Sequence, residues 1–125
     1  MVQFKTILRS ADNSGAQILK CIKVYGGFRR RAAKLGDTVL VSVKKLKHKK
    51  KAEKKKMYSA VITAKRQQER RFDGSFIRFD RNKAAIYLQN KFLGTRLYGP
   101  ICKEIREKNY KNRYTALISV SKGTV

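Results

Sequence analysis

Short runs of alternating apolar residues, separated by turns that carry glycine, dominate the chain up to Gly94. Strand side chains point to two faces in turn, so runs of this period are half-buried β-strands and do not fit a helix. Val2 to Leu8 is a first short strand, and Ala11-Asp12-Asn13-Ser14-Gly15-Ala16 is a dense run of turn formers, hence a tight loop. Gln17 to Tyr25 reads as a strand with Ile18, Ile22 and Val24 on one face, ended by Gly26-Gly27, whose freedom at positive φ suits a bulge or a close backbone approach. After the Leu35-Gly36-Asp37 turn, Thr38 to Leu46 alternates Val39, Val41 and Val43 against Leu40, Ser42 and Lys44. Met57 to Ala64 and Ala84 to Leu88 supply two more. Five or six short strands at this spacing predict a mainly β chain, a small closed barrel rather than a layered α/β fold.

Between the last two strands, Arg70 to Asn82 reads RRFDGSFIRFDRN. Asp73-Gly74 is a short hairpin signal that suits a primed turn. In the strand that leaves it, Phe76 and Arg78 share one face while Ile77 and Phe79 share the other. After Gly94 the period changes. Pro100 fits the first turn of a helix, Ile101 and Ile105 lie one turn apart, and Glu104 and Lys108 suit its two dipole ends. This predicts a short C-terminal helical segment over about 99–113, while Tyr114 to Val120 fits either a last strand or a second helical turn. At 125 residues, the whole chain 1–125 is expected to form one domain.

What such a fold binds follows from charge. Thirty-two Lys and Arg against eight Asp and Glu give a formal +24, and self-repulsion of that size calls for an anionic partner. No apolar run approaches the ~18 residues of a membrane span, no basic amphipathic helix stands out, and nucleic acid is favoured. Arg29-Arg30-Arg31 sits on a loop between strands, where three guanidiniums suit phosphates. In the basic loop 44–56, nine of thirteen residues are lysine: Lys44, Lys45, Lys47, Lys49, Lys50, Lys51, Lys54, Lys55 and Lys56. Such a segment has little to bury, so we expect it to be mobile when free and ordered on RNA.

Catalysis and metal binding find little support. Cys21 and Cys102 lie 81 residues apart and form no CxxC pair, so both read as reduced, buried small residues. Zinc would require about four well-placed ligands. A nucleophilic cysteine paired with His48 would need one of the thiols exposed beside the lysine run, and the chain carries no Walker loop, paired carboxylates or nucleophile elbow. No enzyme activity, metal or cofactor is expected. The start MVQFKTILRS lacks the apolar core of a signal peptide, and no transit peptide is evident.

The segments ADNSGA at 11–16, CIKVYGG at 21–27, DGSFIRFD at 73–80 and GTRLYGP at 94–100 together resemble the universal large-subunit ribosomal protein family L-fourteen, in its bacterial and organellar form. Here Thr63 ends the run Ala60-Val61-Ile62, and Ala85 stands where the family usually has valine. The resemblance implies a five-stranded β-barrel with a C-terminal helical region, acting as a structural constituent of the large subunit at its intersubunit face. Phosphates of large-subunit rRNA would be met by Arg29, Arg30, Arg31, Arg70, Arg71, Arg78, Arg81 and the lysine loop, through shape rather than sequence. It further implies neighbouring large-subunit proteins, small-subunit rRNA at an intersubunit bridge and a ribosome silencing factor as partners, the last at Thr95 and Arg96. A free-standing RNA chaperone of barrel type is the other reading; it would present several stacking rings on one barrel face. Usage rich in Lys, Ile, Phe, Tyr and Asn without tryptophan points to a mitochondrial ribosome, with a plastid or the bacterial cytoplasm as alternatives.

Overall fold

A computed structural model describes residues 1–47, 51–89, 91–108 and 114–125 of the chain. His48, Lys49 and Lys50, like Lys111 to Arg113, lie outside the described residues. In chain order the elements are β1 (Ile7–Ser10), β2 (Ala16–Val24), β3 (Thr38–Leu46), β4 (Met57–Ala64), β5 (Glu69–Arg70), β6 (Phe76–Ile77), β7 (Lys83–Leu88), β8 (Lys91–Phe92), α1 (Glu104–Glu107) and α2 (Thr115–Val120). Successive members of the series β1-β2-β3-β4-β7 pair antiparallel, and β7 returns to β1 in parallel, with Arg9 opposite Lys83 and Ser10 opposite Ala84. This closes a five-stranded barrel, so these strands satisfy one another's backbone groups around a complete ring.

Burial follows the alternation where one face of a strand is covered and departs from it where both are. Val39, Val41 and Val43 are fully buried on β3 while Lys44 and Lys45 are exposed. By contrast β4 is buried from Ala60 through Ala64 and β7 from Ala84 through Tyr87. The C-terminal segment packs on this side: Cys102 donates its N–H to Thr63 O at 3.1 Å, and the Tyr114 ring meets Tyr87 edge-on at 5.7 Å. Ile101, Ile105 and Leu117 are buried in the same core, each worth about 1.5–3 kcal/mol on removal from water. Thr63 carries the local penalty of that double coverage, since its buried hydroxyl has no hydrogen-bond partner among the described residues.

Several expectations need correction. The run Val2 to Leu8 is broken by a turn at Lys5 (φ 69°), with Thr6 N–H bonded to Gln3 O at 3.1 Å; Val2 alone pairs with Ala33, and β1 begins at Ile7. On β2 the core face is Leu19 and Cys21, while Ile18 and Ile22 look outward. A register shift between Cys21 and Lys23 then changes the parity and lets Val24 reach the core. Pro100 does not open the helix. Ile101 spends its backbone on a parallel bridge to Thr124, and α1 is a single turn that starts at Glu104. Tyr114 to Val120 resolves as helix from Thr115.

The described parts of the lysine segment, 44–47 and 51–56, are also tied down. Lys47 N–H bonds to Gly15 O at 2.9 Å, Ala52 N–H to Ser14 O at 3.1 Å and Lys55 N–H to Val43 O at 3.0 Å, while Glu53 N–H reaches the Tyr58 hydroxyl at 3.0 Å. Ala52 is buried at 4% exposure. The segment does have a core to join, through the one small residue that fits against the 12–16 loop. We expect hydrogen exchange of the free protein to show protection at the amides of Lys47, Ala52 and Lys55; uniformly fast exchange from 44 to 56 would restore the picture of a mobile loop.

The Arg70–Asn82 hairpin stands apart from the barrel as a two-stranded ribbon, Arg70 opposite Phe76. Its turn is not a primed one, because of its residues only Gly74 has positive φ, at 83°. Gly74 N–H bonds to Arg71 O and Arg71 N–H to Ser75 O, the pattern of a three-residue loop that ends in the left-handed region. Asp73 fixes it by accepting from Ser75 N–H at 3.0 Å and Ser75 Oγ at 2.6 Å, which holds its carboxyl below the ordinary range. Ile77 and Phe79 pack inward while Phe76 and Arg78 are exposed. Nothing stands near a Cβ added at Gly74, so Gly74→Val should lower stability by the backbone term alone, about 1–2 kcal/mol, and Asp73→Asn should change little. Urea melts of both variants check this, and an unchanged valine variant would mean that the turn relaxes freely.

Candidate nucleic-acid interface

Acidic groups are few, and half of them are held in ion pairs within the molecule. Asp37, Glu53, Glu69 and Glu104 form the ion pairs found among the described residues, with Arg30, Lys108, Lys56, Lys65 and Arg71. Asp12 is buried and saturated by hydrogen bonds. The remaining cations therefore face solvent with little internal anion to neutralise them, which is the electrostatic footprint of a polyanion-binding surface.

Within the arginine triplet the three guanidiniums do different work. Arg30 pairs with the Asp37 carboxylate, which also accepts from Lys34 N–H at 2.7 Å and from Lys108 Nζ at 2.8 Å. Asp37 thus gathers the β2–β3 loop and the end of α1 on one carboxylate. Arg29 and Arg31 are exposed, Arg29 stacking over Phe28 at 5.2 Å.

The second arginine pair divides in the same way. Arg71 Nε donates to Glu104 Oε1 at 2.7 Å, and its Nη2 reaches Val125 O at 2.6 Å. Burial alone would raise the Glu104 carboxyl, but hydrogen bonds from Arg71 and from its own backbone outweigh it, and the group sits below the ordinary range. The hydrogen bond to Glu104 raises Arg71 in turn. Arg70, Arg78 and Arg81 are exposed, as are Lys44, Lys45, Lys47, Lys51, Lys54, Lys55 and Lys56. Of the residues expected to meet phosphates, Arg30 and Arg71 are thus committed to the fold and the other described ones are presented outward.

Thr95 and Arg96 are exposed on a loop whose shape is imposed from a distance. Asn13 Oδ1 accepts from Thr95 N–H at 2.8 Å and Arg96 N–H at 3.1 Å, and its Nδ2 donates to Thr95 Oγ1 at 2.8 Å. Gly94 permits this closeness, since a Cβ there would lie 2.8 Å from Asp12 Cβ. The ADNSGA segment is therefore a clamp as well as a turn. Composition hid this, because Asp, Asn and Ser are ordinary turn residues and their partners lie more than seventy positions away.

Both cysteines are free and buried. Burial raises the Cys21 thiol and pushes Cys102 up to about 12, opposite to the shift of a nucleophilic thiolate. The exposed rings Phe4, Tyr25, Phe28, Phe72, Phe76 and Tyr98 lie on loops and on the hairpin, not on the five barrel strands. A multi-ring stacking platform on one barrel face is absent among the described residues.

A family model described as ribosomal protein L14p/L23e matches residues 1–121. The large ribosomal subunit protein uL14 of Petrotoga mobilis is 45% identical over 111 residues, which span 88% of this chain and 91% of that protein.

The Arg71–Glu104 pair yields a pH-dependent expectation. Glu104 is held below its unfolded value, so its contribution is complete above about pH 4.3 and is lost as pH falls through the folded value. Arg71→Ala should cost about 1.5–3 kcal/mol at neutral pH, the range for a charged hydrogen bond, and less as pH drops below about 4. Urea melts across pH measure the gap between variant and wild type; a gap that does not narrow in acid would assign the loss to packing of the arginine stem.

Proposed function

The chain belongs to the ribosomal protein L14p/L23e family, and from that premise we propose that it is a structural constituent of the large ribosomal subunit that binds large-subunit rRNA through its basic loops. One observation carries the reading: eight carboxylates stand against thirty-two cations, and Arg29, Arg31, Arg70, Arg78, Arg81 and the described lysines of 44–56 are displayed with no carboxylate partner among the described residues, apart from Lys56, which pairs with Glu53 on the surface. The barrel sets the spacing of these cations, and backbone contacts of this kind position a protein on folded RNA by shape. No reaction is part of this role.

The partners in this reading are neighbouring large-subunit proteins, small-subunit rRNA at an intersubunit bridge, and a ribosome silencing factor at Thr95 and Arg96, whose loop Asn13 holds rigid. The composition supports a mitochondrial ribosome, and the similarity to a Petrotoga protein supports a bacterial type of sequence, which suits an organelle or a bacterium equally. The chain 1–125 acts as one ribosomal-protein domain in this account.

Arg29→Ala and Arg31→Ala should each weaken binding to a large-subunit rRNA fragment and reduce the steepness of its log–log salt dependence by about 1, without reordering a panel of RNA sequences. Arg30→Ala should act mainly on stability. Filter binding over a salt series, with urea melts alongside, separates the two effects. A reordered panel would show base readout, and unchanged slopes for both Arg29 and Arg31 would remove the loop from the interface.

A further inference from the structure

One cleft combines uncommitted cations with an exposed ring. It lies outside the barrel where the β1–β2 turn, the end of β3 and the 94–98 loop meet, encloses about 440 Å³, and is lined by Arg9, Gln17, Ile18, Lys45, Lys47 and Tyr98 among others. That volume falls within the range that accommodates a small organic ligand. The barrel register builds its floor: Arg9 on β1 stands opposite Ile18 on β2, and Ile18 opposite Lys45 on β3. With strands about 4.8 Å apart, the two cations flank an apolar side chain at a Cα separation of roughly 10 Å.

Tyr98 is 58% exposed, yet its backbone is fixed by a 2.8 Å hydrogen bond from its N–H to Ala11 O. Lys83, opposite Arg9 on β7, brings its ammonium to 3.6 Å from where a Cβ on Gly99 would lie, next to the tyrosine. Asp12, the acidic residue of the cleft, is buried and saturated by its own hydrogen bonds. Two other clefts among the described residues differ. The one beside Tyr25 spends its charges on the Arg30–Asp37–Lys108 cluster, and the one between the hairpin and α1 sets four acidic residues, Glu69, Asp73, Glu104 and Glu107, among its cations.

We propose that this cleft binds one unpaired RNA nucleotide, its base against the Tyr98 ring over Ile18 and its flanking phosphates on Arg9, Lys45 and Lys47. The chemistry is that of single-strand recognition, in which an aromatic face takes the base and cations track the backbone. It rests on the reading that the chain binds RNA and adds to it a requirement for an extruded base at one place. Folded RNA met by shape elsewhere on the surface would be held in register here.

The test uses the full chain with two probes, a single-stranded heptaribonucleotide and a blunt RNA duplex, over a salt series. Tyr98→Ala should weaken heptamer binding by about 5- to 100-fold with the salt slope unchanged, since a lost stacking contact releases no counterions. Tyr98→Phe should restore binding, and duplex binding should not move. Lys45→Ala should lower the heptamer slope by about 1. Equal heptamer affinity for Tyr98→Ala and wild type, or an equal loss on the duplex, would overturn the inference and leave RNA binding standing. Wild-type protein that binds the duplex and not the heptamer would overturn it in the same way. A protein that binds neither would remove the functional reading with it.

Discussion

The buried carboxylate of Asp12 is the constraint on which the rest of this structure hangs. Its Oδ1 accepts from Ser10 Oγ and from the N–H and hydroxyl of Ser14, and its Oδ2 accepts from Ile86 N–H on β7. The group therefore ties the turn that follows β1 to the strand on which the barrel closes, beside the parallel pairing of Arg9 and Ser10 with Lys83 and Ala84. Parallel pairing between strands so far apart in sequence gains nothing from local turn geometry, and a charged group that would be costly to bury unpaired holds it in place. Ser14 and Gly15, next in the chain, offer their carbonyls to Ala52 and Lys47 and so anchor the lysine-rich segment. Asn13 reaches the other way to Thr95 and Arg96. One tight turn thus organises the barrel seam, a basic loop and the exposed loop that carries Thr95 and Arg96.

Charge is distributed by the same logic. With eight acidic residues against thirty-two basic ones, ion pairs within the fold use up carboxylates and still leave most cations unpaired. Asp37 collects Arg30 and Lys108, and Glu104 collects Arg71, in each case joining segments distant in sequence. These partly buried pairs are shielded from salt more than the exposed cations are. Interior pairs therefore maintain the scaffold over conditions that tune the outward surface.

The fold was legible where local physics decides it. Thr38 to Leu46 and Met57 to Ala64 match β3 and β4 at both ends, because alternation and flanking turn or charge signals agree there. Gly74 takes the positive φ its turn position needs, and Ile77 and Phe79 face inward as the period of two requires. Elsewhere two local patterns competed. On β2 the sequence groups Ile18, Ile22 and Val24 on one face, yet the residues buried in the core are Leu19 and Cys21. Register is set by pairing with β1 and β3, which outweighs the preference of single residues.

From the sequence alone come most of the barrel strands, the closed-barrel architecture and the excess of positive charge, since each depends on residue type and short-range spacing. The tertiary structure alone decided which cations remain available. Arg30 and Arg31 are neighbours in the chain, as are Arg70 and Arg71, yet one of each pair is taken by a carboxylate and the other faces solvent. It also anchored the lysine segment through Ala52 and moved the helix to Glu104 by spending the backbone of Ile101 on Thr124. The physical reason is common to all of these: an ion pair, a buried methyl group or a backbone bridge is won by the partner nearest in space, and that partner is fixed only once the barrel has closed.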